Sequence, residues 1–475
     1  MSNTLHGFER EGLRVTAEGL LAPTPHPTGL GDSLTHPYIT TDFAEAQLEF
    51  ITAPEPNLPR ALDRLTQIHY YAGKVLKDER LWPFSMPPRL PEKDDQIPLA
   101  HYGSSKLATE KTTYRRGLGY RYGRRKQTLS GVHYNFSLDP EQLKSRLPAS
   151  ARKNASTSDA YFHIIRNLYR HLPFLTYLFG ASPAIDKSYN VPRTPKLKPH
   201  KSHTLYAEFA TSLRLSNLGY TSEVQDQIQM RYDSLSAFIK DFAWALNTIN
   251  PDYEAFSNDD SKQLNANYLQ NEQELYALFR PKQQLAPGEK LLQALQQKGT
   301  SHIEARLLDI DPSHPEGVDP ATIAFLHIAI LHCLQQPSPP LSKKETKELH
   351  ENHQEVIWQG RKKDLQLSIQ GAPSPFHDLG KQFCERLHPL AEELDQAEGT
   401  NFYQESLTHQ IEKWNAPELT PSGKLLANLL DNGIEFLDLG LNIAEQNAKR
   451  LAASAPDPSF QQEIERQTKK SRKPS

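Results

Sequence analysis

Cysteine is almost missing from this chain: Cys333 and Cys384 are the only two in 475 residues. Two thiols build neither a disulfide framework nor a four-thiolate zinc site, and such usage fits a reducing compartment. Long apolar runs are missing as well. The greasiest stretch, Thr322 to Leu334, is interrupted by His327 and His332 and falls short of the ~18 residues that a bilayer span needs. The opening Met1-Ser2-Asn3-Thr4-Leu5-His6-Gly7 has neither a basic nor an apolar region, so no secretory signal is expected. Excess charge is absent too: 54 Lys and Arg against 57 Asp and Glu leave a net charge of −3, whereas a wholesale nucleic-acid binder is strongly basic. No repeat of ~20–50 residues is present, which removes solenoids and propellers. These absences predict a soluble, cytoplasmic globular protein with no membrane or nucleic-acid partner, and a monomer is expected. Its length allows roughly three domain-sized units.

Familiar site motifs are also lacking. In Gly117-Leu118-Gly119-Tyr120-Arg121-Tyr122-Gly123 the third glycine comes one residue too late for a dinucleotide fingerprint. There is no phosphate-binding loop of the GxxxxGK[ST] type. His350-Glu351-Asn352-His353 spaces its histidines three apart, not four, and reads as a polar helix face. Tyr114 to Lys126 interleaves aromatics with cations, a pattern that stacks on single-stranded nucleic acid, but the balanced charge weighs against that use. Arg193 to Lys201 reads as a solvated basic loop, Lys469 to Lys473 as a solvated terminus, and both cysteines as buried packing residues.

What is present divides in two. Residues 1–315 mix strands and helices. The spacing predicts helices over Leu58–Leu76, Asp159–Phe179 and Ser222–Ile249. Pro173 should kink the second, and Gly180 should end it in a left-handed cap. Residues 316–475 read as a helical part, with helices over Ala321–Leu334, Ser342–Gln359, Gly380–Gln396 and Asn432–Ser454 and a linker at Pro337–Pro340, and are expected to pack on the first part.

Five strand-like segments each gather unusual residues on one face, because side chains alternate along a strand. Glu9 and Glu11 share a face with Leu13 and Val15, away from Arg10, Gly12 and Arg14. Glu45, Gln47, Glu49 and Ile51 share another, with Asp42 just before them. His133, Asn135 and Ser137 oppose Val132, Tyr134, Phe136 and Leu138. Ser212, Arg214 and Ser216 alternate with Leu213 and Leu215, and His302, Glu304 and Arg306 with Ile303, Ala305 and Leu307. This pattern predicts an α+β fold whose antiparallel sheet is covered by helices on its greasy face.

A plain wet face is the ordinary reading of any one such strand. Across five it weakens, because the polar residues here are carboxylates, a histidine and arginines, with no lysine. Crowded carboxylates repel and are driven towards protonation unless a cation sits between them. Magnesium takes oxygen ligands and is shared between carboxylates and phosphates. Arginine suits bidentate recognition of carboxylate or phosphate. The residues therefore point to a divalent-metal site acting on an anionic, phosphorylated substrate.

Seven blocks resemble the proteobacterial glutamate–cysteine ligase family. They are Gly7–Val15, Thr40–Phe50, Ser130–Ser137, Phe179–Ala184, Thr211–Tyr220, Glu274–Lys282 and Ile303–Ile310, in family order. The resemblance implies a funnel of curved antiparallel strands like that of glutamine synthetase, with helices outside. It implies ATP-dependent joining of the L-glutamate γ-carboxylate to the L-cysteine amino group through a γ-glutamyl phosphate, giving γ-glutamylcysteine, ADP and phosphate. Catalysis would reside in residues 1–315. By match to family positions, Glu9, Glu11, Asp42, Glu49, His133 and Glu304 bind magnesium. Arg214 grips the glutamate α-carboxylate beside Leu129, and Arg306, with Glu304, serves phosphoryl transfer. Phe43, Tyr114, Leu118, Gln127, Tyr220 and Tyr276 form the cysteine pocket. Two departures stand out: family members carry a helix before the first acidic strand, and Gly12 replaces a threonine. A related carboxylate–amine ligase with another acceptor, and a non-catalytic nucleotide-binding relative, remain alternatives.

Overall fold

The computed structural model describes residues 4–190, 194–219, 223–254 and 262–472. Its main sheet has seven strands. They are β1 (Thr4–Val15), β2 (Ile39–Thr41), β3 (Gln47–Ile51), β4 (Arg80–Leu81), β5 (Gly131–Leu138), β9 (Phe279–Lys282) and β10 (His302–Asp309). The order is β2-β3-β1-β5-β10-β9, with β4 paired to the far end of β1, and every pairing is antiparallel. A three-stranded sheet joins β6 (Ala184–Asp186), β7 (Lys198–His200) and β8 (Thr204–Tyr206), and a hairpin joins β11 (Gln366–Ile369) to β12 (Ala372–Pro375).

The register sorts the side chains. Phe8 lies opposite Tyr134, and Arg10 opposite Val132 and Phe50; Ile303 lies opposite Phe136, and Ala305 opposite Tyr134. Directly opposed residues share a face, so these make one buried apolar surface. The helix Leu58–Leu76 covers it with Ala61, Leu65, Ile68 and Ala72, its start capped by the Asn57 side chain on the Arg60 N–H. The helix Thr157–Phe179 lies against β9 and β10. From the C-terminal part comes the helix Pro320–Gln335, buried along nearly its whole length; the ring of His327 meets that of His6 at 5.1 Å. One continuous core runs from Phe8 to Ile464.

Two arginines sit on this buried side. Arg14 donates through its two Nη atoms to Thr24, to the Glu45 carbonyl and to Glu79 at 2.6 Å, while its buried Nε has no hydrogen-bond partner. Arg10 is 1% exposed, and its Nε and Nη1 have no hydrogen-bond partner. Burial lowers its pKa to about 9, against the pull of Glu316 and Glu11. A β-carbon on Gly12 would collide with the Arg10 guanidinium. That accounts for glycine at this position: the arginine occupies the space of the side chain.

Several expectations need correction. Gly180 is extended, at φ −65° and ψ 132°, not left-handed. Glycine is needed there because a β-carbon would lie 2.7 Å from the Thr211 carbonyl oxygen and 2.8 Å from that of Thr176. The helix expected over Ser222–Ile249 is two, Glu223–Gln227 and Leu235–Asn247, with Ser222 outside the described residues. Ser234 caps the second on the Ala237 N–H, and this local bond prevails over the apolar spacing. Gly380–Gln396 divides into Phe376–Glu385 and His388–Glu398, the second opening on Pro389. Ala210–Ser216 is not a strand. Ser212 caps a 3-10 turn over Leu213–Leu215, and Leu213, Arg214 and Leu215 are all buried. No helix among the described residues is long and apolar enough to cross a membrane.

Candidate active site

The other face of the sheet carries the polar residues. Pairing sets Glu9 opposite His133, Glu11 opposite Glu49, and Glu304 opposite both Asn135 and Arg280. His133 Nδ1 lies 3.2 Å from Glu9 and 3.7 Å from Glu304, and its Nε2 lies 3.5 Å from Glu11. Asn135 donates to the second Glu9 oxygen at 3.0 Å. One atom each of Glu9, His133 and Glu304 falls within 4.8 Å of the others.

Charge is divided unevenly across this face. Burial pushes the Glu49 carboxyl well above its ordinary pKa, and Asp42, Glu9 and Glu11 push the same way. Burial and Asp42 also raise Glu11, against His133, Arg306 and Arg214. At Glu304 burial is outweighed by Lys282, Arg306, Arg280 and His133, which hold its carboxyl well below the usual range. Lys282 Nζ lies 3.6 Å from Glu304, and Arg306 Nη1 lies 3.1 Å from it. Burial and Glu304 raise Glu9, but the bond to His133 and the nearby cations leave it below its ordinary value.

The donor set fits a hard divalent cation. Glu9, Glu304 and the His133 imidazole come within reach of one ion, and Glu304 Oε2 is buried with no hydrogen-bond partner; Glu11, Asp42 and Glu49 are not part of that close group. Carboxylate oxygens of this kind, partly shared with substrate phosphates, suit magnesium.

Other elements aim the remaining residues. A bulge between Ala305 and Leu308 turns β10 at Arg306, whose N–H donates to the Leu278 carbonyl at 2.8 Å; bulges re-aim side chains in this way. Arg214 Nε donates to Asp309 at 2.6 Å. The Leu129 carbonyl, just before β5, accepts from Gln47 at 2.8 Å. Asp42 closes a turn onto Gln47; its carbonyl accepts from Tyr102 at 2.9 Å and also from Arg115. Phe43 is buried beside it. Tyr114 and Leu118, one turn apart on the helix Lys106–Tyr122, are buried together, and Gln127 is buried in the 3-10 turn Arg125–Thr128 that leads into β5. Tyr276 is half-buried, and burial raises its hydroxyl pKa against the pull of Arg214 and Arg306. Tyr220 lies outside the described residues.

Glu45 stands apart from the cluster: its carboxylate accepts the N–H groups of His26 and His101, each at 2.7 Å. Sequence reasoning missed Lys282, Arg280, Arg115 and Asp309 as parts of the site. Arg280-Pro281-Lys282 alternates as a strand does, but an internal proline argues against one. β9 is the edge of the sheet, where proline is tolerated.

Comparison with known proteins follows the same line. A family model described as glutamate–cysteine ligase matches residues 1–356. The glutamate–cysteine ligase of Leptospira interrogans is 43% identical over 466 residues, covering 98% of this chain and 90% of that protein. That of Azotobacter vinelandii is 41% identical over 462 residues, covering 95% and 87%. Among solved structures, the glutamate–cysteine ligase of Francisella tularensis in complex with AMP superposes with a TM-score of 0.92 at 31% identity, covering 99% of this chain and 93% of that one. A bifunctional glutathione synthetase from Pasteurella multocida gives 0.73 at 26%, covering 94% of this chain and 52% of that one. The expected α+β architecture therefore stands. On sequence, fold and the matched length, the chain belongs to the glutamate–cysteine ligase family.

Proposed function

We propose that the polar face joins the γ-carboxylate of L-glutamate to the amino group of L-cysteine, using ATP. The observation that carries this reading is the division of charge about Glu304: carboxylates crowd one side, and Lys282, Arg280 and Arg306 gather on the other. An acidic end short of cations and a basic end short of anions together suit a metal–nucleotide substrate.

A carboxylate is a poor acylating agent. Its oxygen attacks the γ-phosphorus of ATP, the bond to ADP breaks, and γ-glutamyl phosphate forms. The cysteine nitrogen then attacks the activated carbonyl, phosphate leaves with the bonding electrons, and the nitrogen releases a proton. Arg306, pointed at the centre by its contact with Glu304, offsets charge on the transferring phosphoryl group. Arg214 holds the glutamate α-carboxylate, with Leu129 beside it. Phe43, Tyr114, Leu118, Gln127 and Tyr276 enclose the cysteine and keep water from the acyl phosphate. Glu9, Glu11, Asp42, Glu49, His133 and Glu304 would hold magnesium, which when bound screens the carboxylates from the substrate phosphates.

Catalysis then lies in residues 1–315, with 316–475 as a helical support, in a cytoplasmic monomer. Mass spectrometry of products from ATP, magnesium, glutamate and cysteine tests the reading, with γ-glutamylcysteine and stoichiometric ADP expected. ADP release with a different amine, and none with cysteine, would move the chain to another carboxylate–amine ligation. Nucleotide binding without turnover would make it a non-catalytic relative.

A further inference from the structure

We propose that Asp309 is a positioning residue which, acting through Arg214, sets the affinity of the site for the α-carboxylate of glutamate. The inference rests on the reading of Arg214 as the residue that holds this group.

Asp309 ends β10, and its side chain is 0% exposed. Four donors converge on it from two separate segments. Oδ2 accepts the Ala181 N–H at 2.8 Å and the Ser182 hydroxyl at 2.6 Å. Oδ1 accepts the Ser212 hydroxyl at 3.0 Å and Arg214 Nε at 2.6 Å. The segments are also tied to each other, because the Leu213 N–H donates to the Ser182 carbonyl and the Ser182 N–H to that of Thr211. A carboxylate this deep needs a cation as well as hydrogen bonds, and the cation it faces is Arg214.

The consequence falls on the guanidinium. Nε is held by Asp309, and Nη2 donates to the carbonyls of Leu308 at 2.8 Å and Arg306 at 3.3 Å. Bonds along one edge fix the plane of a rigid fork. Its other end is directed to the start of β5: a β-carbon on Gly131 would lie 2.9 Å from Arg214 Nη1, and the Gly131 N–H donates to Glu11 at 2.9 Å. The arginine is thus oriented towards the polar face before substrate arrives, and such preorganisation raises affinity by lowering the ordering cost of binding. The strand that ends in Asp309 also carries Glu304 and Arg306, so one element sets both the grip on the α-carboxylate and the phosphoryl end.

Steady-state kinetics of Asp309→Asn, Arg214→Ala and the double variant, with circular dichroism for folding, tests this. Asparagine keeps the size and an acceptor but removes the charge. Asp309→Asn is expected to raise KM for glutamate about tenfold or more, as loss of a charge-assisted bond does, with kcat reduced far less and KM for ATP little changed. The double variant should bind glutamate no worse than Arg214→Ala, because the aspartate acts through the arginine. A folded Asp309→Asn with normal KM for glutamate, beside a raised KM in Arg214→Ala, overturns the role of Asp309 and leaves that of Arg214. Additive losses in the double variant also overturn it. A normal KM in Arg214→Ala removes both readings together. Should Asp309→Asn not fold, Ser182→Ala, which removes one of the four donors, is expected to raise KM for glutamate without a matching fall in kcat; no rise overturns the proposal.

Discussion

Glu49 and Glu304 are the same residue type on the same face of the same sheet, yet their carboxyl groups are driven in opposite directions. Glu49 sits opposite Glu11 with Asp42 and Glu9 nearby and is pushed well up. Glu304 is 1% exposed, and burial alone would push it up too, but Lys282, Arg306 and Arg280 hold it well down. The difference is entirely in the neighbours. It teaches that the polar face is built as two halves, one in which carboxylates outnumber cations, with Arg115 beside Asp42 and Glu49, and one in which cations outnumber carboxylates, with Glu9 and His133 at the boundary. Either half alone would be an unstable arrangement of like charges. A divalent ion on the first and phosphates on the second would satisfy both.

The comparison breaks most visibly at Arg306. If this residue acts on charge that develops during phosphoryl transfer, Arg306→Ala lowers kcat by roughly 10²–10³-fold, about 3–4 kcal/mol, while KM for ATP moves little. Arg306→Lys should recover only part, since a point charge does not reproduce the fork. Kinetics with ATP varied at saturating glutamate and cysteine decides the matter. A raised KM with normal kcat would make Arg306 a ground-state binder and would weaken the contrast between the halves.

A second test exchanges charge at each end. Glu304→Gln removes the counter-ion of Lys282 and Arg306 and should destabilise the metal-free protein by about 2 kcal/mol, less than a wholly buried pair would lose because both cations are partly solvated. Glu49→Gln removes repulsion and should stabilise the metal-free protein by about 1 kcal/mol. Both variants should need more magnesium for activity. Thermal melts without metal and magnesium titrations of rate measure the two effects. Equal destabilisation by both substitutions would remove the distinction.

The pH dependence sharpens the same point. Because the folded pKa of Glu49 is raised above 4.5, the folded state keeps a proton that the unfolded state has already released. Stability of the metal-free protein contributed by this group is therefore greatest below pH 4.5 and falls as pH rises towards the folded pKa. Glu304, lowered well below 4.5, contributes in the opposite sense: its stabilisation is present above pH 4.5 and is lost as pH falls. Melts across pH in Glu49→Gln and Glu304→Gln should lose opposite slopes. Slopes of the same sign would contradict the division.

How much of this could be read beforehand depended on the element. Glu9 with Glu11, and His133 with Asn135, were legible because a strand alternates with period two. Their meeting was not, since register is set by pairing over more than a hundred residues of chain. The roles given to individual residues came from family resemblance, not from spacing. Arg214 had the right residue type and the wrong element: Ser-Leu-Arg-Leu-Ser alternates like a strand, but Ser212 caps a tight turn, and burial of Leu213, Arg214 and Leu215 together shows that no solvent face exists there. Lys282 was hidden by Pro281, whose place on an edge strand depends on where β9 falls in the sheet.

The smallest expected effect concerns the thiols. A ligase that takes cysteine invites the idea of an enzyme thiol that carries the acyl group, which would make the contrast between the two halves incidental. Cys333 lies in the helix Pro320–Gln335 and Cys384 in the helix Phe376–Glu385, both buried. Burial raises both thiols, Cys384 to about 12, so neither is a thiolate at neutral pH, and the thiolate is the nucleophile. Neither helix contributes a residue to the polar face. Cys333→Ala with Cys384→Ala should therefore leave kcat and both amino-acid KM values within about twofold, with a modest loss of thermal stability from the lost packing of the two sulfur atoms. A folded double variant that still hydrolysed ATP but formed no peptide bond would place acyl transfer on a thiol, and the charge division would then serve phosphoryl transfer alone.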